Sequence, residues 1–117
     1  MSYKVETIPP FDRIAKRLQK KYRHIKDDLK SLARILSANP FSGVAIPGFA
    51  HQVWKIRLAS SDIQAGKRSG YRVIYAVRED VKACYLLYIY PKPMKKDVSA
   101  SEVEGLLLEL ESYLGEG

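Results

Sequence analysis

The sequence predicts an α+β domain in the order β-α-α-β-β-β-α: a small antiparallel sheet, an N-terminal helical hairpin on one face, and a C-terminal helix. Three observations lead there. Apolar residues recur at helix spacing at positions 11, 14, 15, 18 and 22, and again at 25, 29, 32, 33 and 36. Three stretches between residues 52 and 90 are rich in β-branched and aromatic residues and are joined by short turns, so they pair antiparallel. The chain has 117 residues, the length of one domain, which can bury a core without metal or disulfide.

Each element has its own signal. "YKVETI" (3 to 8) alternates polar and apolar residues as a short strand, and Pro9-Pro10 ends it. The first helix follows from Phe11, with Lys and Arg opposite its apolar face. A break near Tyr22 and Arg23 leads into the second helix, which Asn39-Pro40 closes because the residue before proline avoids helical geometry. "FSGVAIPGFA" (41 to 50) is a loop by its Gly and Pro punctuation. "QVWKIRLA" (52 to 59), "YRVIYAV" (71 to 77) and "ACYLLYIY" (83 to 90) are the remaining strands. Ser99 caps the last helix with Glu102 as its capping-box partner, Val103, Leu106, Leu107, Leu110 and Leu114 form its apolar stripe, and Gly115 ends it. Residues 1–117 read as a single unit.

The formal charge is +7, and it is unevenly spread. Residues 12 to 34 carry nine Lys/Arg against three Asp, residues 55 to 96 carry ten against three acids, and from Asp97 onward there are six acids and no base. A basic body with an acidic tail fits a polyanionic partner, nucleic acid first, or a protein that is basic only for solubility. No apolar run approaches the ~20 residues of a membrane span. The N-terminus shows no secretion signal and Cys84 stands alone, so a cytoplasmic location is expected.

Strand alternation distributes the cations. With Trp54, Ile56 and Leu58 turned towards the helices, Lys55 and Arg57 face the other way. Tyr71, Val73, Tyr75 and Val77 are the inner set of the next strand, which puts Arg72 on the outer face with Ile74 and Ala76. The last strand is apolar on both sides, so alternation does not decide there; Tyr88 and Tyr90 are placed with the cations. One face is expected to stay open, edged by Lys67 and Arg68 in the turn and by Lys92, Lys95 and Lys96 after the last strand. Several cations on adjacent strands repel one another unless an anion lies between them, and cations with interleaved aromatics suit single-stranded RNA.

Other chemistries find no support. His24 and His51 lie in unrelated elements without ligand-spaced partners, so no metal is expected. His24 reads as an exposed residue between helices, His51 as a structural one, and Cys84 as a core residue. No phosphate-binding loop, nucleophile triad or carboxylate cluster appears, and the glycines of "GKRSG" lead into a strand and serve turn geometry. No cofactor is expected.

The order of elements and the stretches "VWKIRLASSD", "GKRSGYRVIYAV" and "LLYIYPKPMKKDVS" resemble the RelE/ParE superfamily of bacterial toxin–antitoxin proteins, closest to its RelE- and HigB-like branches. The resemblance runs over nearly the whole chain and rests on the order and spacing of the three stretches. It implies a toxin that cuts messenger RNA on the ribosome without metal, held inactive by a cognate antitoxin. Carried over by position, Lys55 and Arg57 match the family's basic strand residues, Arg72 its arginine after the turn, and Lys92 a basic residue after the last strand. It implies Lys55 as base, with Arg57 and Arg72 stabilising the transition state. Lys67, Arg68, Lys92, Lys95 and Lys96 would bind RNA. Family members often place a Tyr or His near the C-terminal end as the acid. "PKPMKKDVS" has neither, which leaves Tyr90 for that role, with Lys95 or Lys96 as the fallback. The alternatives on the same fold are a gyrase-inhibiting toxin of the ParE type and an inactive paralogue that binds RNA or antitoxin.

Overall fold

The computed structural model describes residues 2–62, 70–92 and 97–115. Within them the chain forms β1 (Lys4–Thr7), α1 (Pro9–Leu18), α2 (Ile25–Ala38), β2 (Val44–Ala45), β3 (Val53–Leu58), β4 (Tyr71–Arg78), β5 (Ala83–Pro91) and α3 (Ala100–Tyr113). The α+β class and the order of the main elements follow the sequence pattern. α1 starts two residues earlier than the periodicity predicts, because Pro9 and Pro10 take up its first turn. There their fixed φ suits the helix and their missing N–H groups cost nothing.

The sheet departs from the expected wholly antiparallel arrangement. Its order is β1-β5-β4-β3-β2, with β1 parallel to β5 and every other pair antiparallel, so it is mixed. β5 is apolar on both sides and needs an inner position, and β1 covers the first part of its outer edge, Ala83 to Leu86. The extra strand β2 lies inside the predicted 41–50 loop. It reaches β3 through Gly43, where a Cβ would collide with the Lys55 carbonyl oxygen. Tyr75 fixes the same corner: its hydroxyl donates to Pro40 O at 2.8 Å and accepts from Gly43 N–H at 3.2 Å.

α1 and α2 pack on the face formed by Trp54, Ile56, Leu58, Tyr71, Val73 and Tyr75, as the alternation predicts. α3 does not join them there, and the opposite face is not open. Val103 is buried with Val53, Ile74 and Tyr90 on that second face, while Leu110 reaches the larger cluster around Ile8 and Phe11. The predicted capping box is present: Ser99 Oγ accepts from Glu102 N–H and the Glu102 carboxylate accepts from Ser99 N–H.

The connection leaving β3 is tied to the start of α2 by polar contacts. The buried Asp28 carboxylate accepts from Ser61 N–H at 3.0 Å and from Ser61 Oγ. Ser60 Oγ donates to the Tyr71 hydroxyl at 3.2 Å. His24 is more than a surface residue: Asp62 accepts from its backbone N–H at 2.8 Å and pairs with its Nδ1 at 2.7 Å. The hydrogen bond with Asp62, then its charge, raises the His24 pKa above 6.5, and the hydrogen bonds with His24 lower that of Asp62 below 3.8.

This latch sets a pH dependence. A raised histidine pKa contributes stability that is complete below pH 6.5 and is lost as pH rises through the folded value; a lowered aspartate pKa contributes above pH 3.8 and is lost as pH falls. The latch is therefore strongest between about pH 4 and 6.5. Melting temperatures of the wild type and His24→Ala, measured from pH 5 to 8.5, are expected to differ most at the acid end and to converge above neutrality. A gap that stays constant over this range would rule out a charged latch.

Candidate nucleic-acid interface

β3, β4 and β5 bring four of the predicted site residues onto one face. Arg57 lies directly across from Arg72, and Arg72 directly across from Tyr90. Lys55 sits opposite Ile74, on the same side as Arg57 and Arg72. Tyr88 and Tyr90 reach this face because of an irregularity in β5: the register passes from Ile74↔Tyr88 to Tyr75↔Leu86, leaving Leu87 as an extra residue. A bulge of this kind shifts the alternation by one place. Cys84 and Leu86 face the α1/α2 core, whereas Tyr88 and Tyr90 face the cations.

Lys55, Arg57 and Arg72 line one side of a groove of about 490 Å³, and Ser42, Gly43 and Val44 line the other. The three cations differ in environment. Arg57 is exposed. Arg72 is only 8 % exposed, and its single described hydrogen bond is a 3.4 Å contact from Nη1 to Tyr71 O. Burial, and then the neighbouring Arg57 charge, lower the Arg72 pKa. Lys55 is paired: its Nζ lies 3.1 and 3.2 Å from the two carboxylate oxygens of Asp97. Val98 N–H also donates to that carboxylate, at 2.8 Å. Burial works to raise the Asp97 pKa, but the Val98 N–H and the Lys55 ammonium outweigh it and hold it below 3.8.

Tyr90 is 3 % exposed, and its hydroxyl has no hydrogen-bond partner among the described residues. Burial, reinforced by Asp97 and opposed by Arg72, raises its pKa, so the phenol keeps its proton at neutral pH. A buried donor left unpaired costs about 1–3 kcal/mol, and such groups gather where a ligand is bound. Lys92 closes the β4–β5 hairpin through its N–H to Gly70 O at 2.9 Å. Lys67, Arg68, Lys95 and Lys96 lie outside the described residues. Cys84 is buried as expected, and burial pushes its thiol up to about 11. His51 serves through its backbone, whose carbonyl accepts from Trp54 Nε1–H at 2.9 Å. Among the described residues no three His, Cys, Asp or Glu side chains converge as a metal site would need, and no helix is long and apolar enough to cross a membrane.

Two features of the site escape sequence reasoning. Asp97 reads there only as the first acid of the tail, yet it is the partner of Lys55. The Ser42–Val44 wall lies in a stretch that reads as plain loop; Gly43 is its one clue.

Arg72 occupies an energetically unfavourable position. A guanidinium this buried, beside Arg57 and without a carboxylate bound to it among the described residues, costs stability. Arg72→Met is expected to unfold at higher urea, with a gain of roughly 1 kcal/mol, the low end of what replacing buried charges yields. A loss of stability would mean that the arginine is there to hold the sheet together.

No protein-family profile matches the chain. Solved structures do match, among them the following two. A double-arginine mutant of the E. coli toxin RelE in the free state superposes with a TM-score of 0.61 at 20 % identity, over 93 % of this chain and 97 % of that one. The archaeal RelE of a RelE–RelB complex from Pyrococcus horikoshii OT3 superposes with a TM-score of 0.52, also at 20 % identity, over 81 % of this chain and 100 % of that one. The chain has the fold of the RelE toxins.

Proposed function

We propose that this protein is the toxin of a toxin–antitoxin pair and that it cleaves messenger RNA on the ribosome, without a metal ion. The observation that carries the reading is the direct cross-strand pair Arg57–Arg72, which lines one groove with Lys55 and has Tyr90 across from Arg72 on the next strand. Like charges placed opposite one another on a sheet oppose folding and favour an anion between them, which suits a phosphate. The partner is a cognate antitoxin that covers the cationic groove with an acidic segment.

The chemistry is transfer of a phosphodiester to the neighbouring 2′-oxygen. The 2′-hydroxyl loses its proton as its oxygen bonds to phosphorus, the bond to the 5′-oxygen breaks, and that oxygen takes a proton. Arg57 and Arg72 stabilise the charge on the phosphorane, Arg72 most strongly because it is already desolvated. Tyr90 holds the proton for the leaving oxygen. The ammonium of Lys55 donates to Asp97 and has no lone pair for the incoming proton, so the Lys55–Asp97 pair takes it as a unit, on the carboxylate. This modifies the expectation that Lys55 acts alone. Lys92, two residues after Tyr90, is the proposed contact for the next phosphate.

The pair also competes with RNA for Lys55. Exchanging a partly exposed ion pair is worth about 0.2–1 kcal/mol, so Asp97→Asn is expected to tighten binding of a short RNA by up to about fivefold. The same change is expected to slow cleavage, since the carboxylate is gone. Tighter binding with undiminished cleavage would leave Lys55 as the base.

Induction in a bacterial host is expected to halt growth and translation, and Arg72→Met, which keeps the fold, is expected to relieve the arrest. In a purified translation reaction the wild type is expected to cut ribosome-bound message and Arg72→Met to leave it intact. Arrest with intact translation and a DNA-damage response would establish the gyrase-inhibiting alternative. That alternative is favoured by the absence of a Tyr or His after Tyr90 and before α3.

A further inference from the structure

Helix α1 carries a second charged surface that the cleavage site does not use. From Arg13 to Lys26 the chain has seven Lys/Arg and no acid, and all seven are exposed. Four of them, Arg13, Lys16, Arg17 and Lys20, fall at helical spacing on one side, since Lys20 continues the last turn through its N–H to Arg17 O. The stripe runs about 10 Å along the axis. The opposite side of the helix, Phe11, Ile14, Ala15 and Leu18, is packed into the core. None of the four cations is in an ion pair among the described residues.

We infer that this stripe is a docking surface for the phosphate backbone of RNA, separate from the groove that holds the scissile phosphate. Three features select RNA over other anionic partners. The four positions of the stripe hold no apolar residue, and one exposed aromatic, Tyr113, shares a groove with its Arg13 end, so a protein partner would find a single anchor where protein interfaces depend on several buried contacts. The apolar side of α1 is committed to the core, so the helix has nothing to insert into a lipid surface. A row of Lys and Arg alone is what phosphates need, since contacts to the backbone set affinity without reading sequence.

The stripe is also connected to the site. β1 pairs with Ala83–Leu86, so among the described residues β5 has no partner strand on that side from Leu87 to Pro91. Arg17 borders a groove of about 380 Å³ along this free edge, with Tyr88 and Tyr90 on its far wall. An RNA strand reaching Arg17 along this groove meets no acidic lining residue. Acidic residues flank the route: Asp12 on the same helix, Glu109 in a groove shared with Arg13, and Glu102 and Glu109 in a groove shared with Tyr88.

This inference does not depend on cleavage. The test uses the full chain with Arg13→Gln, Lys16→Gln, Arg17→Gln and Lys20→Gln combined, and a fluorescein-labelled RNA hairpin with a single-stranded tail, titrated between 50 and 300 mM salt. Losing four phosphate contacts is expected to make the slope of log affinity against log salt shallower by about three, and to weaken binding at least tenfold at the lowest salt. Lys16→Arg with Lys20→Arg is expected to keep the wild-type slope, and circular dichroism to give the same fold for all variants. An unchanged slope in the Gln variant overturns the inference. So does equally tight, stripe-dependent binding to poly-glutamate or to phosphatidylserine vesicles, which would make the partner a protein or a membrane. Arg72→Met separates the two readings: it is expected to abolish cleavage while changing the salt slope by no more than about one.

Discussion

The arrangement of the site depends on one extra residue in β5. Without Leu87 as a bulge, Cys84, Leu86, Tyr88 and Tyr90 would all face the same way, and the tyrosines would lie under α1 and α2 with the core. The bulge divides the strand. Its first half serves the helical core and is covered at the edge by β1; its second half has Tyr88 and Tyr90 turned to the cations and no neighbouring strand beyond it. The same local irregularity thus places Tyr90 across from Arg72 and leaves an edge open beside α1. Bulges re-aim side chains next to functional sites in this way at the cost of local pairing.

β4 pays for that arrangement in its own composition. It lies between β3 and β5, with every residue from Tyr71 to Val77 buried, including Arg72. The rest of the strand supplies stabilisation enough to tolerate the guanidinium: Tyr71 and Tyr75 are fully buried, and each hydroxyl finds a partner, in Ser60 and in Pro40 and Gly43. Tyr90, buried but unpaired among the described residues, stands apart from these two tyrosines whose hydroxyls hold the sheet. α3 packs on the same face, with Val103 buried in one cluster with Ile74 and Tyr90.

Much of this was legible in the residues because it depends on period. The 3.6-residue spacing located both helices of the hairpin and the alternation of "VWKIRL" placed Lys55 and Arg57 on one face, where Arg57 now meets Arg72. Ser99 and Glu102 announced the last cap because both partners of a capping box lie within one turn. What escaped depends on distant contacts. A strand's pattern does not say which neighbour it pairs with, so β1 could not be recognised as the parallel partner of β5. An apolar strand has no alternation to interrupt, so the bulge at Leu87 left no mark. Asp97 meets Lys55 across 42 positions, and its neighbours in sequence give no sign of it.

The distribution of unpaired charge extends this from the site to the whole molecule. Among the described residues the ion pairs are Lys55–Asp97, His24–Asp62 and Lys4–Glu6, so most of the described cations have no carboxylate partner among those residues. The acids of α3 do not cancel it: Glu104 and Glu111 are exposed on a helix whose buried contacts are apolar. A chain that needed positive charge only to stay dissolved would do as well with its cations scattered. Here they are gathered on α1 and around Arg72, on either side of the free edge of β5, where their fields add. Repulsion within each cluster opposes folding and is relieved when a polyanion binds. Under the proposed reading, bound RNA would stabilise the same surfaces that are strained without it and would couple the site to the stripe through a shared strand of phosphates.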